Sequence, residues 1–116
     1  MRMWKSAFIL ILLPGVTAAQ EVFGNVSGCE RHAGGASRDE NAVTYDLEAF
    51  EFFESFCEVS TSTEVNGGAT LLNTTCFGSG AEWDLSFIVE TTEDEDTLVF
   101  YGTDSPSERT AISLCE

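Results

Sequence analysis

Beyond its fifth residue this chain has no lysine. Across 116 residues, five Lys or Arg side chains stand against 20 Asp or Glu, a formal net charge of −15. Two of the five, Arg2 and Lys5, precede an apolar run from Ala7 to Leu13, and Pro14, Gly15 and small residues through Ala19 follow it. A positive end, a short apolar segment and a small-residue exit have the form of a secretory signal peptide, with cleavage expected after Ala19. The run is too short to cross a bilayer, which takes about 20 residues. No cysteine follows it closely, as a lipid anchor would require. Removal of residues 1–19 takes two cations and no acid, so −15 becomes −17 and only Arg31, Arg38 and Arg109 remain basic. A surface so poor in cations cannot neutralise phosphates, which excludes nucleic acid and, once the leader is gone, anionic membrane as partners. It suits either an acidic skin solvated in a saline medium or the steering of a basic partner protein.

Other absences narrow the chemistry. His32 is the only histidine, and it lies in a polar stretch without the partners that catalysis needs. Gly78, Ser79 and Gly80 supply half of a nucleophile elbow, but Phe77 stands where its first glycine belongs. The run Glu93, Asp94, Glu95 and Asp96 lacks the alternating acids, central glycine and distal glutamate of an EF-hand, and reads as a solvated hairpin tip. No two cysteines have the two-residue spacing of a zinc knuckle or a redox motif. The chain is therefore expected to carry no metal and no cofactor, and not to be an enzyme. Asn25-Val26-Ser27 and Asn73-Thr74-Thr75 fit the glycosylation acceptor pattern and are read as chance matches.

What is present is an even set of cysteines, Cys29, Cys57, Cys76 and Cys115, all past the leader. In a small exported domain these point to two disulfides. Of the three possible connectivities, the expected one joins Cys57 to Cys76 across a hairpin and Cys29 to Cys115 near the two ends. That hairpin organises the rest: an aromatic arm from Phe50 to Val59, a polar turn at Asn66, Gly67 and Gly68, and a return through Leu71, Leu72 and Cys76 to Trp83.

Short strands are expected on either side. Gln20 to Glu30 reads as an irregular first strand ending at Cys29, and Arg31 to Asn41 as an exposed loop. Val43, Tyr45 and Leu47 alternate with polar residues, as in a strand. Phe50 to Val59 reads as one strand, with a helical turn near Glu48 as an alternative. Trp83, Leu85, Phe87 and Val89 alternate with Glu82, Asp84, Ser86, Ile88 and Glu90, which places the first set, Trp83 included, in the core beside the Cys57–Cys76 bridge. Leu98 and Phe100 begin another strand, and Ile112 and Leu114 lead the last to Cys115. The fold class is all-β: one domain over residues 20–116, an antiparallel meander or barrel of about six to seven strands.

Phe53-Glu54 before Cys57, Val59 after it, and then Cys76, Gly78, Gly80, Glu82 and Trp83 resemble a group of small exported bacterial proteins. Those carry an aromatic-Glu pair before a cysteine, a Cys-x-Gly-x-Gly segment reaching a Trp, and a C-terminal cysteine. A second likeness is to the periplasmic inhibitors of C-type lysozyme, small β-barrels that present a Ser-Gly-Ala-Arg-Tyr loop. Here Ser79-Gly80-Ala81 is followed by Glu82 and Trp83, an acid in place of the arginine. These likenesses imply a periplasmic or secreted β-domain, and Ser79, Gly80, Glu82 and Trp83 as binding residues. The reading is a non-enzymatic domain that binds another macromolecule, with a basic protein as the fitting partner. Its alternatives are an inhibitor of a basic lysozyme and a small carboxylate-dependent hydrolase. The oligomeric state stays open.

Overall fold

The computed structural model of the chain describes residues 21–35 and 38–116. The expected signal peptide therefore lies outside the described residues. The elements in order are β1 (Phe23–Gly24), α1 (Val26–His32), β2 (Thr44–Tyr45), β3 (Ala49–Phe52), β4 (Ser55–Asn66), β5 (Ala69–Gly78), β6 (Ala81–Thr91), β7 (Thr97–Gly102) and β8 (Thr110–Leu114). Each strand pairs antiparallel with the next, and β1 pairs with β8, so eight strands close a barrel. Closure pairs the two edges that an open meander would expose, except along Ser60 to Asn66 of β4, which has a strand partner on its β5 side alone.

The inner wall is filled by aromatic side chains. Phe50 is fully buried and lies 4.4 Å from Tyr45, 4.7 Å from Phe87 and 5.0 Å from Phe100, measured between ring centroids. Leu72, Val89 and Ile112 pack into the same cluster. These are the inward positions of a period-two pattern: Phe50 and Phe52 on β3, Leu72, Thr74 and Cys76 on β5, Phe87 and Val89 on β6. Both expected disulfides are present. Cys57 faces Cys76 across β4 and β5, while Cys29 on α1 is tied to Cys115 just past β8. The chain-entropy estimate gives each about 3 to 5 kcal/mol, more for the longer loop.

Four expectations are corrected. The segment ending at Cys29 is a two-residue strand followed by a helix, and that helix takes Arg31 and His32 from the expected loop. Its start is set by Asn25, whose side-chain oxygen accepts hydrogen bonds from the N–H groups of Gly28 and Val43 while its amide donates to the Asn41 carbonyl. Gly28 lets the helix lie against the barrel, because a Cβ there would fall 2.0 Å from the Val43 carbonyl oxygen. Second, the strand expected through Leu47 stops at Tyr45. Asp46 accepts from the N–H groups of Glu48 and Ala49, closing a turn that is not helical. Third, Phe50 to Val59 is two strands, broken at Phe53 and Glu54, with Glu54 at φ +61°. Those breaks raise the strand number to eight. Fourth, Trp83 shares the inward parity of Phe87 and pairs with Cys76 as expected, yet 37% of it is exposed, because it lies where the barrel ends.

Candidate functional site

Pairing Cys57 with Cys76 turns both inward, so the residues beside them, Phe56 and Phe77, must face outward together. They sit opposite each other on β4 and β5 and are 41% and 40% exposed. Glu51 on β3 is the neighbour of Phe56, and Glu82 on β6 the neighbour of Phe77. Four adjacent strands therefore carry a Glu-Phe-Phe-Glu row on the outer wall. With strands about 4.8 Å apart, the row spans roughly 14 Å.

Just past this row the barrel ends in two hairpin tips. One is Phe53-Glu54, with Phe53 exposed. The other is Ser79-Gly80, where φ values of +50° and +76° place both residues in the left-handed region that suits a two-residue hairpin turn. Gly78 brings the tips together. A Cβ there would lie 2.7 Å from the Glu54 carbonyl oxygen, 3.1 Å from the Ser55 Cβ and 3.3 Å from the Trp83 Cη2. The indole thus reaches across Gly78 towards the neighbouring tip, and any larger residue would push it away.

The four residues expected to bind are gathered at this end: Ser79 and Gly80 form the turn, Glu82 closes the row, and Trp83 covers the barrel edge. The sequence reading missed Phe53, Phe56, Phe77 and Glu51. Its disulfide pairing already implied that Phe56 and Phe77 share an outer surface, since each is the direct neighbour of a paired cysteine.

Positive charge is scarce here. Arg31 donates to the backbone carbonyls of Glu51 and Phe52, which fixes its guanidinium at one border of the row. Arg109 pairs with Glu90 and lies 4.5 Å above the Tyr101 ring, away from the row. Glu51, Glu54, Glu82 and Asp84 are all exposed. Phe53, Phe56, Phe77 and Trp83 are each about two-fifths exposed, so burial against a partner would remove roughly 60–100 Å² apiece from water. Phe56 and Phe77 are register partners, so this end of the barrel gathers exposed aromatic residues beside carboxylates.

Both acceptor-pattern asparagines have structural work: Asn25 caps α1, and Asn73 donates to Thr61 and accepts from Ser86 on the outer wall. Among the described residues no three His, Cys, Asp or Glu side chains come together as a metal site would need. A concavity of about 610 Å³ between α1 and β8 holds none of the expected binding residues. Comparison with family models, with curated proteins and with solved structures finds no match.

Proposed function

We propose that the mature domain is a non-enzymatic binding module of the periplasm or the extracellular medium, which holds a basic protein against its aromatic end. The observation that supports this is the Glu-Phe-Phe-Glu row flanked by Phe53 and Trp83. Aromatic side chains provide the desolvated centre typical of energetic hot spots, and the carboxylates around them supply a rim that favours cations. With only three arginines past the leader, the field of the whole domain steers such a partner in. The two disulfides fit an oxidising compartment.

A second reading keeps the same surface and narrows the partner to a basic C-type lysozyme. It is favoured by the Ser79-Gly80 turn, which projects at the barrel end beside Trp83.

The test is capture from envelope extract at low salt, comparing the wild-type mature domain with the Phe56→Ser/Phe77→Ser variant. A basic protein retained by the wild type, lost from the variant and released by salt is the expected result. Identical proteins on both baits would refute the assignment. Lysozyme assayed in the presence of each bait separates the second reading from the first.

A further inference from the structure

At the opposite end of the barrel the wall is incomplete. β4 pairs with β3 only through Glu58, and the last backbone bond on that side runs from the Val59 N–H to the Glu48 carbonyl. From Ser60 to Asn66, β4 has a strand partner on its β5 side alone. The gap opens a recess of about 400 Å³ into the barrel mouth. Its apolar part comprises Tyr45, Val89 and Leu98, and its polar rim holds Ser62, Glu64 and Thr70 among others. That volume falls within the range of small-ligand pockets, about 300–1,000 Å³.

Two features set this recess apart from an ordinary barrel mouth. Tyr45 is 95% buried, being 5% exposed, yet its hydroxyl has no hydrogen-bond partner among the described residues. A buried phenol normally finds one, and Tyr45 is a lining residue of the recess. In addition, Leu47 at the rim adopts φ +77° and is half exposed, an unfavourable conformation for a branched apolar residue that recurs where a ligand is held. The charge balance is one-sided, because Glu64 is in the lining and no Lys, Arg or His is.

We propose that this recess binds an alkylammonium group, with the apolar stem against Tyr45, Val89 and Leu98 and the ammonium head at Glu64. The Tyr45 hydroxyl and the rim hydroxyls complete the polar contacts. A carboxylate ligand would be repelled by Glu64 and by the net charge of the domain, and a neutral chain would leave Glu64 without a counter-charge. Burial, with the nearby Asp46 charge, raises the Tyr45 phenol above its ordinary value, so it stays protonated at physiological pH and free to donate or accept. The ligand is either a free amine or a lysine side chain presented by another molecule. Nothing in this proposal depends on the aromatic end, so either can fail alone.

The experiment titrates the ¹⁵N-labelled mature domain with hexylammonium, hexanol, hexanoate and Nα-acetyl-lysine amide, following the amide signals of Ser62, Glu64, Thr70 and Thr91. Saturable shifts confined to these residues are expected with the two ammonium compounds, and none with hexanoate. Glu64→Gln should weaken hexylammonium by roughly 3- to 10-fold, below the range for buried hydrogen bonds to charged groups, because Glu64 is exposed and screened. Tyr45→Phe, which keeps the packed ring, should weaken it by about 3-fold. Tighter binding of the lysine amide identifies a presented side chain as the source, and tighter binding of hexylammonium identifies a free amine. Equal affinity for hexanol, an unchanged Glu64→Gln variant, or non-saturating shifts would overturn the proposal.

Discussion

The two ends of the barrel use the same strands, β4, β5 and β6, and treat their side chains in opposite ways. At the disulfide end the Cys57–Cys76 bridge fills the interior, Trp83 lies across the edge, and large aromatics are left on the outer wall. At the other end the interior stays partly open, the polar rim is Ser62, Glu64, Thr70 and Thr91, and the exposed stretch of β4 carries Val65 as its sole large apolar side chain. The first end suits a broad partner surface, the second a single narrow group. The difference follows from where the staple sits. A disulfide that locks one end of a hairpin frees the residues beside it from packing duty, while the unstapled end must balance closure against an unpaired edge.

The largest expected effects lie between the two ends. Phe50→Ala should cost about 3–5 kcal/mol, the range for a filled aromatic core site, and should loosen both ends together. Phe87→Ala should cost a similar amount and Ile88→Ala much less, since Ile88 faces outward between Leu71 and Tyr101. Denaturant melts measure all three. Equal losses at Phe87 and Ile88 would mean that the inner and outer faces of β6 are assigned the wrong way round.

That alternation on β6 was legible in the sequence because the apolar set Trp83, Leu85, Phe87 and Val89 keeps period two along the strand, with Ile88 as the one apolar residue on the other face. Other features were not. A helix of seven residues containing Gly28 has little intrinsic propensity, and its clearest signal, Asn25 as a cap, was concealed within an apparent glycosylation pattern. The break at Phe53 and Glu54 carries no Gly, Pro or Asn, so an aromatic run looked continuous. Trp83 shows a different limit. Period-two alternation tells which wall a side chain faces, but not how far along the barrel axis it lies. The candidate surface was half visible: Ser79, Gly80, Glu82 and Trp83 were marked by motif, while Phe56 and Phe77 follow only from drawing out the consequence of the disulfide pairing.

Replacing Cys57 and Cys76 together with Ala should cost about 3 kcal/mol by the chain-entropy estimate for a loop of this length. Amide exchange should then rise most at Phe53–Phe56 and Phe77–Trp83, with little change around Ser62 and Thr70. Uniform acceleration throughout the barrel would show that the two ends are not separable.

A smaller change is expected from Phe56→Ser with Phe77→Ser, below about 1 kcal/mol, because both side chains are already in contact with water. A loss of several kcal/mol would reveal a packing role and weaken the case for a free surface.

The smallest effect belongs to Tyr45. Its phenol is held above the ordinary value of 10.0, chiefly by burial and then by Asp46. The neutral form is thus favoured by folding: its contribution is complete below the unfolded value near 10 and is lost as pH rises from there through the folded value. Absorbance titration should show a phenol ionising above the ordinary value of 10.0, and Tyr45→Phe should remove that late step. A titration curve that Tyr45→Phe leaves without change above about pH 10 would place the Tyr45 hydroxyl in open water.

The central claim is that the disulfide end is where a basic protein docks. Amide hydrogen exchange of the mature domain, alone and with the captured partner bound, tests it most directly. New protection is expected over Glu51–Phe56 and Phe77–Asp84, with Ser60–Thr70 unchanged. Protection centred on Ser60–Thr70, with Phe56 and Phe77 exchanging as in the free domain, would contradict it.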